Sequence, residues 1–153
     1  MLKRLVEQLF GEGAWEDVDH EEVQRGLERE REKRRLDFER IDEYPYDHYT
    51  EAMEDIKQLK RERRHDEVED LLLWCIEFAE AEARAQAEYD DFPMTPPAYY
   101  RHLGIVYRKD DRYADEVAVL ERYIEFNRSI GAYVDDDLRE RLDRARELAS
   151  ESD

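Results

Sequence analysis

The chain has one cysteine, five isolated glycines, four prolines and only five lysines in 153 residues. A single cysteine excludes an intramolecular disulfide. Cys75 lies within Leu71–Ile76, the longest apolar run, and reads as a small core hydrophobe. That run is far too short to cross a bilayer, and the N-terminus shows no signal-peptide pattern, so a soluble cytoplasmic protein is expected. The glycines never cluster and none precedes Gly-Lys-Ser/Thr, so no phosphate-cradling loop is present. Alternating apolar and polar residues are absent as well, which leaves no strand candidate.

Charge is abundant. Charged residues make up 44% of the chain and apolar ones 41%, with a net charge of −18. Twenty arginines accompany the five lysines. Acidic excess with depleted lysine is the pattern expected of a salt-adapted cytoplasm, where carboxylates hold water and salt screens their repulsion. A high-GC organism also exchanges lysine for arginine, but that alone does not explain −18. The same charge argues against nucleic acid and anionic membranes as partners, because phosphate contacts need a dense basic surface.

One motif occurs twice. Asp66-Glu67-Val68-x-x-Leu71-x-x-Trp74-Cys75 returns as Asp115-Glu116-Val117-x-x-Leu120-x-x-Tyr123-Ile124. Each copy follows a basic turn, Arg63-Arg64-His65 or Arg112-Tyr113-Ala114. Ahead of the turns stand Tyr49, Ala52, Met53 and Ile56 in one case, and Tyr100, Leu103, Gly104 and Tyr107 in the other. The spacing i, i+3, i+4, i+7 puts each set on one helical face. Each unit is therefore an amphipathic helix, a short polar turn and a second amphipathic helix. Duplicated helical hairpins suit a stacking scaffold better than a catalytic cavity.

The rest of the chain is read around these units. Leu2, Leu5, Val6, Leu9 and Phe10 form a stripe on a short helix stopped by Gly11 and Gly13. Its stripe either folds back onto its own chain or crosses to a partner, which would make a homodimer. Asp19 with Glu22 caps a helix expected to reach about Ile41, and every residue from Glu28 to Arg35 is charged. Pro45 ends this region. The linker Asp90–Pro97 separates the hairpins, Gly131 ends the second, and Asp135–Asp137 begin a capping helix with Leu138, Leu142, Ala145 and Leu148 on one face. The expectation is a single all-α domain, 1–153. It holds N-terminal helices over 1–45, two hairpins over 46–130 and a C-terminal cap over 131–153.

The second unit, Ala98–Glu125, resembles a tetratricopeptide repeat (TPR). Tyr100, Leu103-Gly104 and Tyr107 match that family's first-helix pattern, and Val117, Leu120 and Tyr123 stand at second-helix apolar positions. It departs from the family in the bulk of Tyr123, in a one-residue offset of turn or second helix, and in prolines that precede the unit. The first unit has Ala52-Met53 for Leu-Gly and two more residues before its second helix. The resemblance implies stacked antiparallel hairpins whose first helices line a binding groove. On that mapping the partner-binding residues are Lys57, Arg61, Arg101, Ile105, Arg108 and Lys109, with Gln58 and Glu54 beside them. Lysines kept on this face suit an anionic protein or peptide segment; the alternative is that they balance neighbouring acids.

Two other functions are carried. One is a structural or accessory subunit whose helices complete another protein's bundle. The other is a magnesium-dependent nucleotide pyrophosphatase, since Glu67, Asp70, Glu77 and Glu80 are similar to the acidic clusters of MazG-like enzymes. In a chain with 43 acidic residues such a coincidence is expected by chance. The four histidines are scattered, and Glu62-x-x-His65 lacks the second copy a di-iron site needs. No cofactor and no catalytic residue is assigned.

Overall fold

The computed structural model describes residues 2–89 and 92–152, and among them it is all-α with no strand. Contacts divide the chain into two compact units, Met1–Arg35 and Leu36–Asp153. No helix is long and apolar enough to cross a membrane among the described residues.

The first unit holds α1 (Leu2–Phe10), a 3-10 turn at Ala14–Asp17 and α2 (His20–Arg34). Of the apolar stripe of α1, Leu5, Leu9 and Phe10 are exposed, while Leu2 and Val6 are half-buried. Asp19 caps α2 by accepting from the backbone N–H groups of Glu21 (3.1 Å) and Glu22 (3.2 Å). The Glu30–Arg34 ion pair forms at 3.1 Å, as its spacing predicts. Lys33 is the buried exception in an otherwise largely exposed charged run. The expected helix to Ile41 is corrected: α2 stops at Arg34. Leu36, Phe38 and Ile41 belong to the core of the second unit, and a chain of turns delivers them there where one straight helix face would not. Phe38 N–H bonds to Leu36 O and Ile41 N–H to Phe38 O.

The second unit stacks α3 (Met53–Arg61), α4 (His65–Ala87), α5 (Pro97–Lys109), α6 (Tyr113–Ser129) and α7 (Asp136–Ser152), each packed on the next. α7 also touches α5. Tyr49–Ala52, expected as the first turn of an α-helix, form a 3-10 turn leading into α3. Pro97 opens α5 at the first helical position, where its missing N–H leaves no helical hydrogen bond unmade. The most buried element is α4, with Val68, Leu72, Trp74, Cys75 and Ile76 fully enclosed. Leu138, Leu142 and Ala145 of α7 are buried as its spacing requires.

The two hairpin turns share one backbone. Arg63 and Asp111 both take positive φ, 55° and 58°, and the next N–H reaches back in each case: Arg64 to Leu59 O at 3.0 Å, Arg112 to Tyr107 O at 2.8 Å. The helices that follow begin at His65 and Tyr113. Structurally equivalent residues across the turns therefore lie 48 positions apart (63 to 111), whereas the repeated Asp-Glu-Val motif lies 49 apart (66 to 115). The motif is one residue out of structural register. The counterpart of the buried Val68 is not Val117, which is half-buried, but Glu116, which is fully buried. A carboxylate occupies a core position, and it needs partners.

Two carboxylates of α4 tie the hairpins together. Glu69 accepts from Tyr107 Oη (3.1 Å) and from both Arg112 Nη atoms (2.6 and 3.1 Å). The buried Glu80 accepts from Tyr100 Oη (3.0 Å) and from Arg122 Nε and Nη2 (2.9 and 2.8 Å).

Candidate functional site: a basic face on α3, α5 and α7

Lys57 and Lys60 lie one turn apart on α3, and α5 places Arg101, His102, Arg108 and Lys109 nearby. Lys60 Nζ donates to His102 Nδ1 at 2.8 Å, so His102 is neutral and carries its proton on Nε2. Burial holds His102 far below its usual 6.5, at about 4, and the charges of Lys60, Arg101 and Lys57 act in the same direction. Burial also lowers Lys60, with Lys109 and Arg141 adding to the effect. Arg141, from α7, is lowered by burial above all; Glu116 opposes this, and Arg108 and Arg101 reinforce it. Lys57, Lys60, Arg101, Arg108, Lys109 and Arg141 thus share one positive field in an acidic protein.

His102 supplies a direct check. Its folded pKa lies below the unfolded value, so its neutral form contributes stability that is fully present above pH ~6.5 and is lost as pH falls toward 4. An NMR titration of the His102 ring should give a midpoint near 4, and Lys60→Gln should move it upward. A midpoint at the ordinary value in the native protein would contradict the contact with Lys60.

Beneath this face lies an ionic triad. Arg108 Nε donates to Glu116 Oε1 at 2.8 Å, and Arg141 Nη2 stands 2.8 Å from Glu116 Oε2. The second contact is an ion pair, and Oε2 accepts no hydrogen bond. Arg108 Nη2 and Arg141 Nε are also buried without an acceptor. Gly104 makes room for the triad: a Cβ there would stand 3.3 Å from Arg141 Nε and 3.5 Å from Glu116 Oε2. The glycine therefore admits charged side chains, and the atoms nearest to it belong to those side chains and not to a neighbouring helix backbone.

The six residues expected from sequence are not all equivalent. Lys57 and Lys109 are exposed, and Lys57 has Glu54 at 3.8 Å. Arg101 is half-buried and makes no ion pair among the described residues. Ile105 is half-buried beside it. Arg108 is engaged by Glu116. Arg61 is held along its own helix by Gln58 (2.7 Å). Sequence reasoning missed Lys60, His102 and Arg141. Lys60 follows Lys57 by one helical turn, and treating α7 as a third first-helix would have found Arg141.

The acidic residues considered for a metal are spread out. Glu67 pairs with Arg64, Asp70 and Glu77 with Arg40, and Glu80 with Arg122. Among the described residues no group of three or more His, Cys, Asp or Glu converges as a metal site. Asp55, Glu62, Asp66 and Glu67 instead line an acidic groove with Tyr44 and Tyr46. Tyr44 donates to Asp70 and Tyr46 to Asp55. Burial pushes the Cys75 thiol up to about 12, leaving it protonated and unreactive. The remaining histidines are occupied: His20 with Trp15 O, His48 with Glu82 and His65 with Asp110.

No protein-family model matches the chain, and neither does any curated protein or solved structure. The likeness to tetratricopeptide repeats rests on the residues quoted for it alone.

Proposed function

We propose that the second unit is a TPR-like stack of helical hairpins that acts as a protein-interaction scaffold. Its α3–α5–α7 face binds an acidic segment of a partner. The observation that supports this is that α3, α5 and α7 bring six basic side chains within electrostatic reach of one another around His102, Lys60 and Arg141, in a chain with net charge −18. Such a field steers an anionic partner onto this face, while the acidic surface elsewhere repels it. The test is binding of a fluorescent poly-glutamate peptide. Reversing Lys57, Arg101 and Lys109 together to Glu should weaken capture by about tenfold or more while helicity is kept. Glu28→Lys with Glu32→Lys, on α2, is the matched control and should leave capture intact. Equal loss in both variants, or in neither, would place binding elsewhere.

A salt-adapted cytoplasm completes this proposal. At molar salt the Debye length falls to about 3 Å, so exposed Lys57 and Lys109 contribute little. Half-buried Lys60, Arg101 and Arg141 are screened less and should carry the contact. Self-repulsion of the acidic surface should also relax, raising the melting temperature by on the order of 5 °C between low and molar KCl. A flat response would remove the salt-adaptation proposal.

A second reading has its own support. The open stripe of Leu5, Leu9 and Phe10 on α1 suits an accessory subunit whose helix completes another protein's bundle, or a second copy of this chain.

A further inference from the structure

Arg141 lies against α5 at Gly104. Arg101 and Arg108 stand three residues before and four residues after that glycine, on the same helical face. Both bear electrostatically on Arg141. Lys60, which feels the charge of Arg141, adjoins them. Of these four cations, Arg108 and Arg141 hold the fully buried carboxylate of Glu116 from two sides, and Arg101 and Lys60 have no carboxylate paired with them among the described residues. The hydrogen bonds are incomplete as well: two buried donors, Arg108 Nη2 and Arg141 Nε, and one buried acceptor, Glu116 Oε2, have no partner, which leaves donors in excess. Buried donors on charged groups are rarely left unpaired in a complete structure. Both side chains still reach the surface, at 29% and 20% exposure, through atoms other than these two donors.

We infer that the Arg101–Gly104–Arg108–Arg141 cradle, with Lys60 at its edge, receives a phosphoryl group carried by a phosphorylated serine or threonine in the acidic segment. The inference rests on the groove proposal and narrows it. A glutamate side chain brings one charge and two oxygens. A phosphoryl group brings about −1.5 to −2 at pH 7 and three strong acceptor oxygens. Only the latter approaches the charge excess and can accept from several guanidiniums at once, the pairing at which arginine exceeds lysine. Glu116 does not compete for this role. It lies in the core position that Val68 fills in the first hairpin, and it orients Arg108 and Arg141.

The test uses the full chain and three acidic peptides that differ at one central residue: phosphoserine, glutamate or alanine. Fluorescence polarisation should show the phosphoserine peptide binding about tenfold tighter than the glutamate peptide. Arg101→Gln should remove that preference; Arg101 makes no ion pair, so its loss spares the fold. Arg141→Gln should also remove it, with circular dichroism to confirm folding. Inorganic phosphate should displace the phosphopeptide only at concentrations on the order of 100-fold above the peptide's Kd, because the flanking acids bind the remaining face. Equal affinity for phosphoserine and glutamate would overturn the phosphoryl assignment and leave the acidic-segment proposal standing. Phosphate competing as well as the peptide would overturn docking of a segment. Binding by none of the three would overturn both.

Discussion

Replacing Glu116 with alanine is expected to destabilise the second unit by about 3–5 kcal/mol, the range for breaking a buried charge group by removing one member. Glu116 is fully buried and stands 2.8 Å from nitrogens of both Arg108 and Arg141. Its loss would leave two half-buried cations facing each other, with Arg101 and Lys60 adding repulsion. The equivalent position in the first hairpin is filled by Val68 with no ionic partner. The fold therefore tolerates an apolar residue there, and the triad, not the position, creates the dependence. Changing Arg108→Leu, Glu116→Val and Arg141→Leu together should accordingly be neutral or stabilising by about 1–4 kcal/mol. Gly104→Leu attacks the same triad from α5 and should be destabilising through overpacking. Urea denaturation measures all of these. A Glu116→Ala variant within ~1 kcal/mol of the native protein would show that the triad does not hold α5, α6 and α7 together.

Trp74→Ala should cost about 3–5 kcal/mol for a different reason. Trp74 is fully buried on α4, and its indole N–H donates to Arg40 O at 2.8 Å. Around it stand Phe38, Tyr44, Tyr46 and Phe78, with ring centroids 5.4–5.9 Å away. This one side chain pins the segment that follows Leu36 onto α4. The guanidinium of Arg40 adds contacts to Asp70 (2.9 Å) and Glu77 (3.4 Å). Beyond global stability, amide exchange over residues 36–46 should accelerate more than over α5–α7, because only that segment loses its anchor. Uniform acceleration across the unit would contradict this division. Trp74→Phe keeps most of the apolar contact and should lose far less.

The parts of the fold governed by local periodicity were legible in the sequence. The apolar residues of α4, α5 and α7 fall on helical faces, and Gly131, Pro97 and Asp135 punctuate them as their backbone chemistry dictates. Two features were not. The end of α2 is set by Leu36, Phe38 and Ile41 reaching a distant core, which no local propensity signals. The register of the second hairpin was obscured because the Asp-Glu-Val repeat invites an alignment that puts both valines inside. Only the shared positive-φ turn shows that Glu116 takes the inner place. The candidate site divides in the same way. Lys57, Arg101, Ile105, Arg108 and Lys109 follow from helical mapping. Lys60, His102 and Arg141 become part of one face only when three helices separated in sequence are brought together.

The most direct measurement is an NMR titration of the ¹⁵N-labelled chain with an unlabelled acidic peptide. Binding to the basic face predicts saturable shifts at Lys60, Arg101, His102 and Gly104, with the acidic groove around Asp55, Glu62 and Glu67 unchanged. Shifts confined to Leu5, Leu9 and Phe10 of α1, or no shifts at all, would contradict it.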